Sequence, residues 1–132
     1  MDTAPTTIAI VDDDADTVAM LVAFFTELGL VATPCPVGPD APAWLLRHRP
    51  QLIILDVVLA GGLTGVDILA QVRADPAWRP VPVIFFSGSE QALRQRLPAA
   101  QDQDIRFVEK PDILQLSDVV QRLLQLPATA PE

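Results

Sequence analysis

The sequence predicts an α/β domain: a doubly wound, five-stranded parallel sheet with helices on both faces. Three observations carry this expectation. Runs of consecutive apolar residues, Ile8 to Val11, Leu52 to Leu55 and Val83 to Phe86, suit short strands buried on both faces. Between them, apolar residues recur at helical spacing. The two kinds of segment alternate about five times, the pattern of successive β-α units around a parallel sheet.

Each element has its own signal. Ile8 to Val11 forms the first strand, and the helix after it spans Asp14 to Leu28. Val18, Leu21, Val22, Phe25 and Leu28 make one face of that helix; acidic residues favour its start, and Gly29 can close its end. Val31 to Cys35 is a weaker strand, and Pro34 and Pro36 push it to a sheet edge, where a missing N–H is tolerated. Asp40 with Pro42 opens a second helix through Trp44 and Leu45. After Leu52 to Leu55, Thr64 caps a third helix carrying Val66, Leu69 and Val72. Val83 to Phe86 leads to a fourth helix, capped by Ser89 and cut short by Pro98. Ile105 to Val108 is the fifth strand. Asp112 caps the last helix, with Leu116, Val119, Val120, Leu123 and Leu124 facing inward. The domain is expected to occupy residues 1–126, with residues 127–132 a flexible tail rich in Pro and Ala.

Composition narrows the function classes. The 132 residues suit one domain, and 50% of them are hydrophobic, enough for one buried core. No apolar run is long enough to cross a bilayer, and Met1 to Thr7 has no secretory-signal pattern. The single cysteine, Cys35, excludes an internal disulfide, so a reducing cytoplasm fits best. A net charge of −8 without a basic stripe argues against nucleic-acid binding by this domain. Eight arginines accompany one lysine, Lys110, which singles that position out.

Ligands of open parallel sheets sit beyond the carboxyl ends of the strands. There this chain offers Asp12, Asp13 and Asp14 after the first strand, Asp56 after the third, Ser87 after the fourth and Lys110 with Pro111 after the fifth. Converging carboxylates repel one another unless a cation intervenes, and a few carboxylates with open positions suit Mg²⁺, with Mn²⁺ as a substitute. A cation, a lysine and a hydroxyl can together hold the oxygens of a transferring phosphoryl group. One carboxylate can be the nucleophile and form an acyl phosphate. Taken singly, each residue has a simpler reading. An acidic run is a helix cap, a lone Asp a turn residue, a lone Lys a solvated charge. Asp14 and Asp16 are read as cap and dipole residues only.

The segments IAIVDDD, LIILDVVLAGGLTG, VIFFSG and FVEKP, in this order and spacing, resemble the receiver domain of two-component response regulators over nearly the whole chain. The likeness is to the stand-alone, chemotaxis-regulator type. It implies the flavodoxin-like strand order 2-1-3-4-5. It implies that Asp12 and Asp13 are the acidic metal-binding pair, with Asp13 preferred as the direct ligand. Asp56 would be phosphoacceptor and metal ligand, and Val58 would offer its backbone carbonyl to the metal. Ser87 would be the hydroxyl that follows the phosphoryl group, and Lys110, before a cis Pro111, its charged partner. Phe107 would be the aromatic switch that turns inward, and Val58 and Ser89 the positions that tune hydrolysis. The implied partners are a histidine kinase or histidine phosphotransfer protein and a downstream protein target. The output is expected through the surface of the fourth helix, fifth strand and fifth helix. The assembly would be a monomer or a phosphorylation-dependent dimer.

The chain departs from the family pattern in places. Ala60 replaces the usual proline, one extra residue lies within Gly61 and Gly62, and Thr64 replaces a common aspartate. Phe107 replaces tyrosine, and Val58 and Ser89 carry no carboxylate or carboxamide. Two other readings compete. An aspartyl-nucleophile, Mg-dependent phosphatase of the haloacid dehalogenase-like group needs a second Asp where Val58 stands. A receiver-like interaction scaffold would never be phosphorylated. His48, between Arg47 and Arg49, is read as solvated, and Trp44 and Trp78 as packing residues.

Overall fold

A computed structural model describes residues 6–59, 64–76, 81–96 and 105–124. The strands are β1 (Thr7–Val11), β2 (Val31–Pro34), β3 (Leu52–Leu55), β4 (Val83–Ser87) and β5 (Ile105–Glu109). The helices are α1 (Ala15–Glu27), α2 (Ala41–His48), α3 (Gly65–Arg73), α4 (Glu90–Arg96) and α5 (Ile113–Leu123). The strands pair in parallel in the order β2-β1-β3-β4-β5, so the chain winds outward in both directions from β1. The proline-bearing β2 is an edge strand, with Pro34 opposite Ile10.

Alternation along each strand divides the core into two layers. Ile8 and Ile10 of β1, Ile54 of β3 and Phe86 of β4 pack with Leu21 and Phe25 of α1 and Leu116 and Val120 of α5. Ala9, Val11, Leu55 and Phe85 pack on the other face with Leu45 of α2, Ile68 and Val72 of α3 and Leu93 of α4. Both faces of β1, β3 and β4 are therefore covered, which explains their unbroken apolar runs.

The helix starts behave largely as the sequence suggests. The Asp14 carboxylate accepts the Asp16 N–H and the Thr17 hydroxyl at 3.3 and 2.7 Å. Ser89 Oγ accepts the Ala92 N–H, and Asp112 accepts the Gln115 N–H, both at 3.0 Å. Thr64 and Asp67 form a reciprocal capping box at the start of α3. Asp40 differs: its side chain makes no cap bond, and only its carbonyl engages, accepting the Trp44 N–H at 3.0 Å. Gly29, at φ 85°, follows α1 as expected, whereas Arg49 takes the left-handed position after α2, at φ 52°. Ala60 to Gly62, Trp78, Pro98 and residues 127–132 lie outside the described residues.

Candidate phosphoacceptor site

Strand register builds the site. Val11 and Leu55 are paired across β1 and β3, so the next residues, Asp12 and Asp56, leave adjacent strands at the same level. The Asp56 N–H continues the ladder to the Val11 carbonyl at 3.0 Å. On the other side Ser87 pairs with Glu109, and the Lys110 N–H donates to the Ser87 carbonyl at 2.9 Å. The Lys110–Pro111 peptide is cis. Four residues that are far apart in sequence thus stand at one end of the sheet.

Lys110 Nζ lies 2.9 Å from Asp12 Oδ2 and 3.0 Å from Asp56 Oδ2. Carboxylate oxygens of Asp12, Asp13 and Asp56 come within 4.8 Å of one another, with Asp12 and Asp56 buried and Asp13 exposed. Asp12 is fixed further by its Oδ1, which accepts the Asp14 N–H at 2.9 Å. Burial pushes the Asp12 carboxyl above its usual range and outweighs the hydrogen bonds from Lys110 and the Asp14 N–H; the Asp56 charge adds to the rise. Burial pulls Lys110 the other way, but hydrogen bonds and attraction from Asp12 and Asp56 prevail, so its ammonium is held above its ordinary value. The shifts are not mirror images, because Asp12 is the more deeply buried partner. Lys110 therefore stays charged, and the site is a set of acidic oxygens short of positive charge. That donor set suits a hard divalent cation.

Ser87 is buried, 4% exposed, and its hydroxyl makes no hydrogen bond among the described residues. Phe107 is half-buried and already packs against the cluster containing Val83 and Phe85. Val58 is 55% exposed and forms an isolated antiparallel bridge with Thr64. Ser89 is exposed at the start of α4. Among the residues set aside, His48 is exposed but not simply solvated: its ring stacks on Trp44 at 3.8 Å, and its Nδ1 lies 2.9 Å from the Trp44 carbonyl. Trp44 packs against the core. Gly65 is a residue at the site that the sequence does not announce. It is buried beside Asp56, and a glycine shows no periodicity or charge to mark it.

A doubly wound parallel sheet with an acidic cluster and a lysine at its switch point carries its polar groups where open α/β sheets bind ligands. Residues 8–122 match the family model described as response regulator receiver domain, and the chain belongs to that family. The DNA-binding response regulator MtrA of Mycobacterium tuberculosis is 32% identical over 93 residues, 70% of this chain and 39% of that protein. The chain thus spans about two-fifths of that relative's length. Chemotaxis protein CheY4 of Vibrio cholerae superposes with a TM-score of 0.78 at 21% identity, covering 91% of this chain and 99% of that one. Response regulator TrrA of Thermotoga maritima, solved with Mg²⁺ and BeF, gives 0.75 at 19% identity, covering 89% and 98%. The fold is the flavodoxin-like receiver fold, and the chain is a receiver domain of two-component signalling. Among the described residues no helix is long and apolar enough to cross a membrane.

Proposed function

We propose that Asp56 accepts a phosphoryl group from a phosphohistidine on a histidine kinase or phosphotransfer protein. The observation that carries this reading is Lys110 Nζ lying between the Asp12 and Asp56 carboxylates at 2.9 and 3.0 Å. An Asp56 oxygen attacks phosphorus, an O–P bond forms, and the P–N bond breaks as the donor imidazole leaves. Asp12, Asp13, Asp56 and the Val58 carbonyl would hold Mg²⁺, or Mn²⁺ in its place. The bound ion supplies neutralising charge for the phosphoryl oxygens. Lys110 stays charged, already sits against Asp56, and takes a share of that negative charge. Ser87 offers its hydroxyl from a buried position one strand away.

The acyl phosphate draws Ser87 toward the site, Phe107 settles deeper against Val83 and Phe85, and the α4-β5-α5 surface changes its affinity for a protein target. The domain works in the cytoplasm, as a monomer or as a dimer formed on phosphorylation. The phosphate acts by selecting between two arrangements that differ in contacts. Beryllofluoride with Mg²⁺, followed by amide NMR, tests this. The expected shifts span the Asp56 loop, Ser87 and Phe107. Shifts confined to the Asp56 loop contradict the output route, and the absence of any shift favours an unphosphorylated scaffold.

A further inference from the structure

Gly65 is the first residue of α3, and it is buried. Its N–H donates to the Val57 carbonyl at 2.8 Å. A Cβ built at this position would overlap the Asp56 main-chain carbonyl oxygen, and would lie 3.1 Å from the carbonyl carbon and 3.0 Å from Phe85 Cε1. The oxygen belongs to backbone held in the β1–β3 ladder, so it cannot swing aside as a flexible side chain would. The helix start is itself tied down. Thr64 Oγ1 accepts the Asp67 N–H at 3.1 Å, and Asp67 Oδ2 accepts the Thr64 N–H at 3.3 Å. Val58 and Thr64 form a bridge on the same side.

From these contacts we infer that Gly65 is a positioning residue for the phosphoacceptor. Its missing side chain lets the capped start of α3 sit directly on the Asp56 carbonyl, while its N–H holds the Val57 carbonyl. The backbone that aims the Asp56 carboxylate and the Val58 carbonyl is thereby fixed from below by a helix. The two ends of the β3–α3 connection are joined at Gly65–Val57 and Thr64–Val58. The inference rests on Asp56 being the metal-assisted acceptor.

On helix propensity alone, alanine is better than glycine at an ordinary helical position, so a loss on Gly65→Ala isolates the contact. The test is Mg²⁺ titration of the full chain followed by amide NMR. Gly65→Ala is expected to keep a dispersed spectrum but bind Mg²⁺ on the order of tenfold more weakly, the scale of a small misplacement at a site. Its metal-free shifts should differ from wild type chiefly at residues 56–58. Val72→Ala, buried on the same helix, is expected to lose stability yet keep Mg²⁺ affinity within about twofold, as distant sites act independently. Unchanged affinity in Gly65→Ala overturns the inference, and so does an equal loss in both variants. If the wild type itself binds no Mg²⁺, the phosphoacceptor reading fails, while the metal-free shifts at 56–58 still decide the role of Gly65. Should Gly65→Ala not fold, Asp67→Ala unties the capping box without adding an atom. Roughly threefold weaker Mg²⁺ binding is then expected, and unchanged affinity overturns the inference.

Discussion

Burying a polar side chain is costly unless something compensates. Of the four buried polar side chains among the described residues, Asp12, Asp56 and Ser87 stand at strand ends; only Ser117 lies elsewhere, and it accepts a 2.9 Å bond from Gln121. The cost is therefore concentrated at one place, where Lys110 offsets part of it. These residues were legible in the sequence because a strand end is a fixed location and a charge there is conspicuous. The bridging of Asp12 by Lys110 was not, since it depends on side-chain reach. Ser89 also gains definition: its hydroxyl accepts the Ala92 N–H, and Val58 beside the site is apolar. Neither side chain offers a carboxylate or carboxamide to orient an attacking water, so an acyl phosphate on Asp56 is expected to persist for minutes in Mg²⁺ buffer. Decay within seconds, with no phosphatase present, contradicts that. Cys35 is also buried, as a free thiol. Burial pushes its thiol from 9.0 up to about 12. Below pH 9 both folded and unfolded thiols are protonated, and the contribution to stability is full; it is lost as pH rises toward 12, because only the unfolded chain ionises early. At pH 8 the native chain should resist iodoacetamide and the denatured chain should react readily. Rapid labelling of the native chain contradicts this.

The elements follow from periodicity, and their edges follow from pairing. β4 and β5 each run one residue past the apolar stretch, because the Ser87–Glu109 ladder continues regardless of side-chain polarity. α1 buries Leu21 and Phe25 as its spacing requires. α3 buries Ile68 as well as Leu69 and Val72, whereas Val66 is only partly buried. Capping was legible where a side chain of the right kind stood at the right offset, as at Asp14, Thr64, Ser89 and Asp112. Asp40 with Pro42 does mark the start of α2, although the Asp40 carboxylate makes no cap bond. Asp14 has a full set of cap partners, and its carboxyl is held below its usual range first by the Thr17 hydroxyl. Asp14→Ala should lower the midpoint of chemical denaturation, because the start of α1 loses its cap. An unchanged denaturation midpoint would mean that α1 is held by packing alone.

At the scale of the whole molecule, the two-layer core and the strand order place the chemistry. Because the chain winds outward from β1, the ends of β1 and β3 are neighbours with no helix crossing between them, and Asp12 and Asp56 share that gap. Ser87 and Lys110 close it from β4 and β5. The fold class and the four strand-end residues could be read in advance because alternating apolar runs and helical stripes state them directly. The support beneath the site could not, because Gly65 acts through the absence of atoms and Lys110 through a distance. On the function proposed above, this convergence makes Asp56 a phosphoacceptor. Incubation with acetyl phosphate and Mg²⁺, read by intact mass and peptide mapping, tests it most directly. The predicted result is a single phosphoryl group on Asp56, dependent on Mg²⁺ and absent from Asp56→Asn. No mass gain in the wild type, or an equal gain in Asp56→Asn, would contradict it.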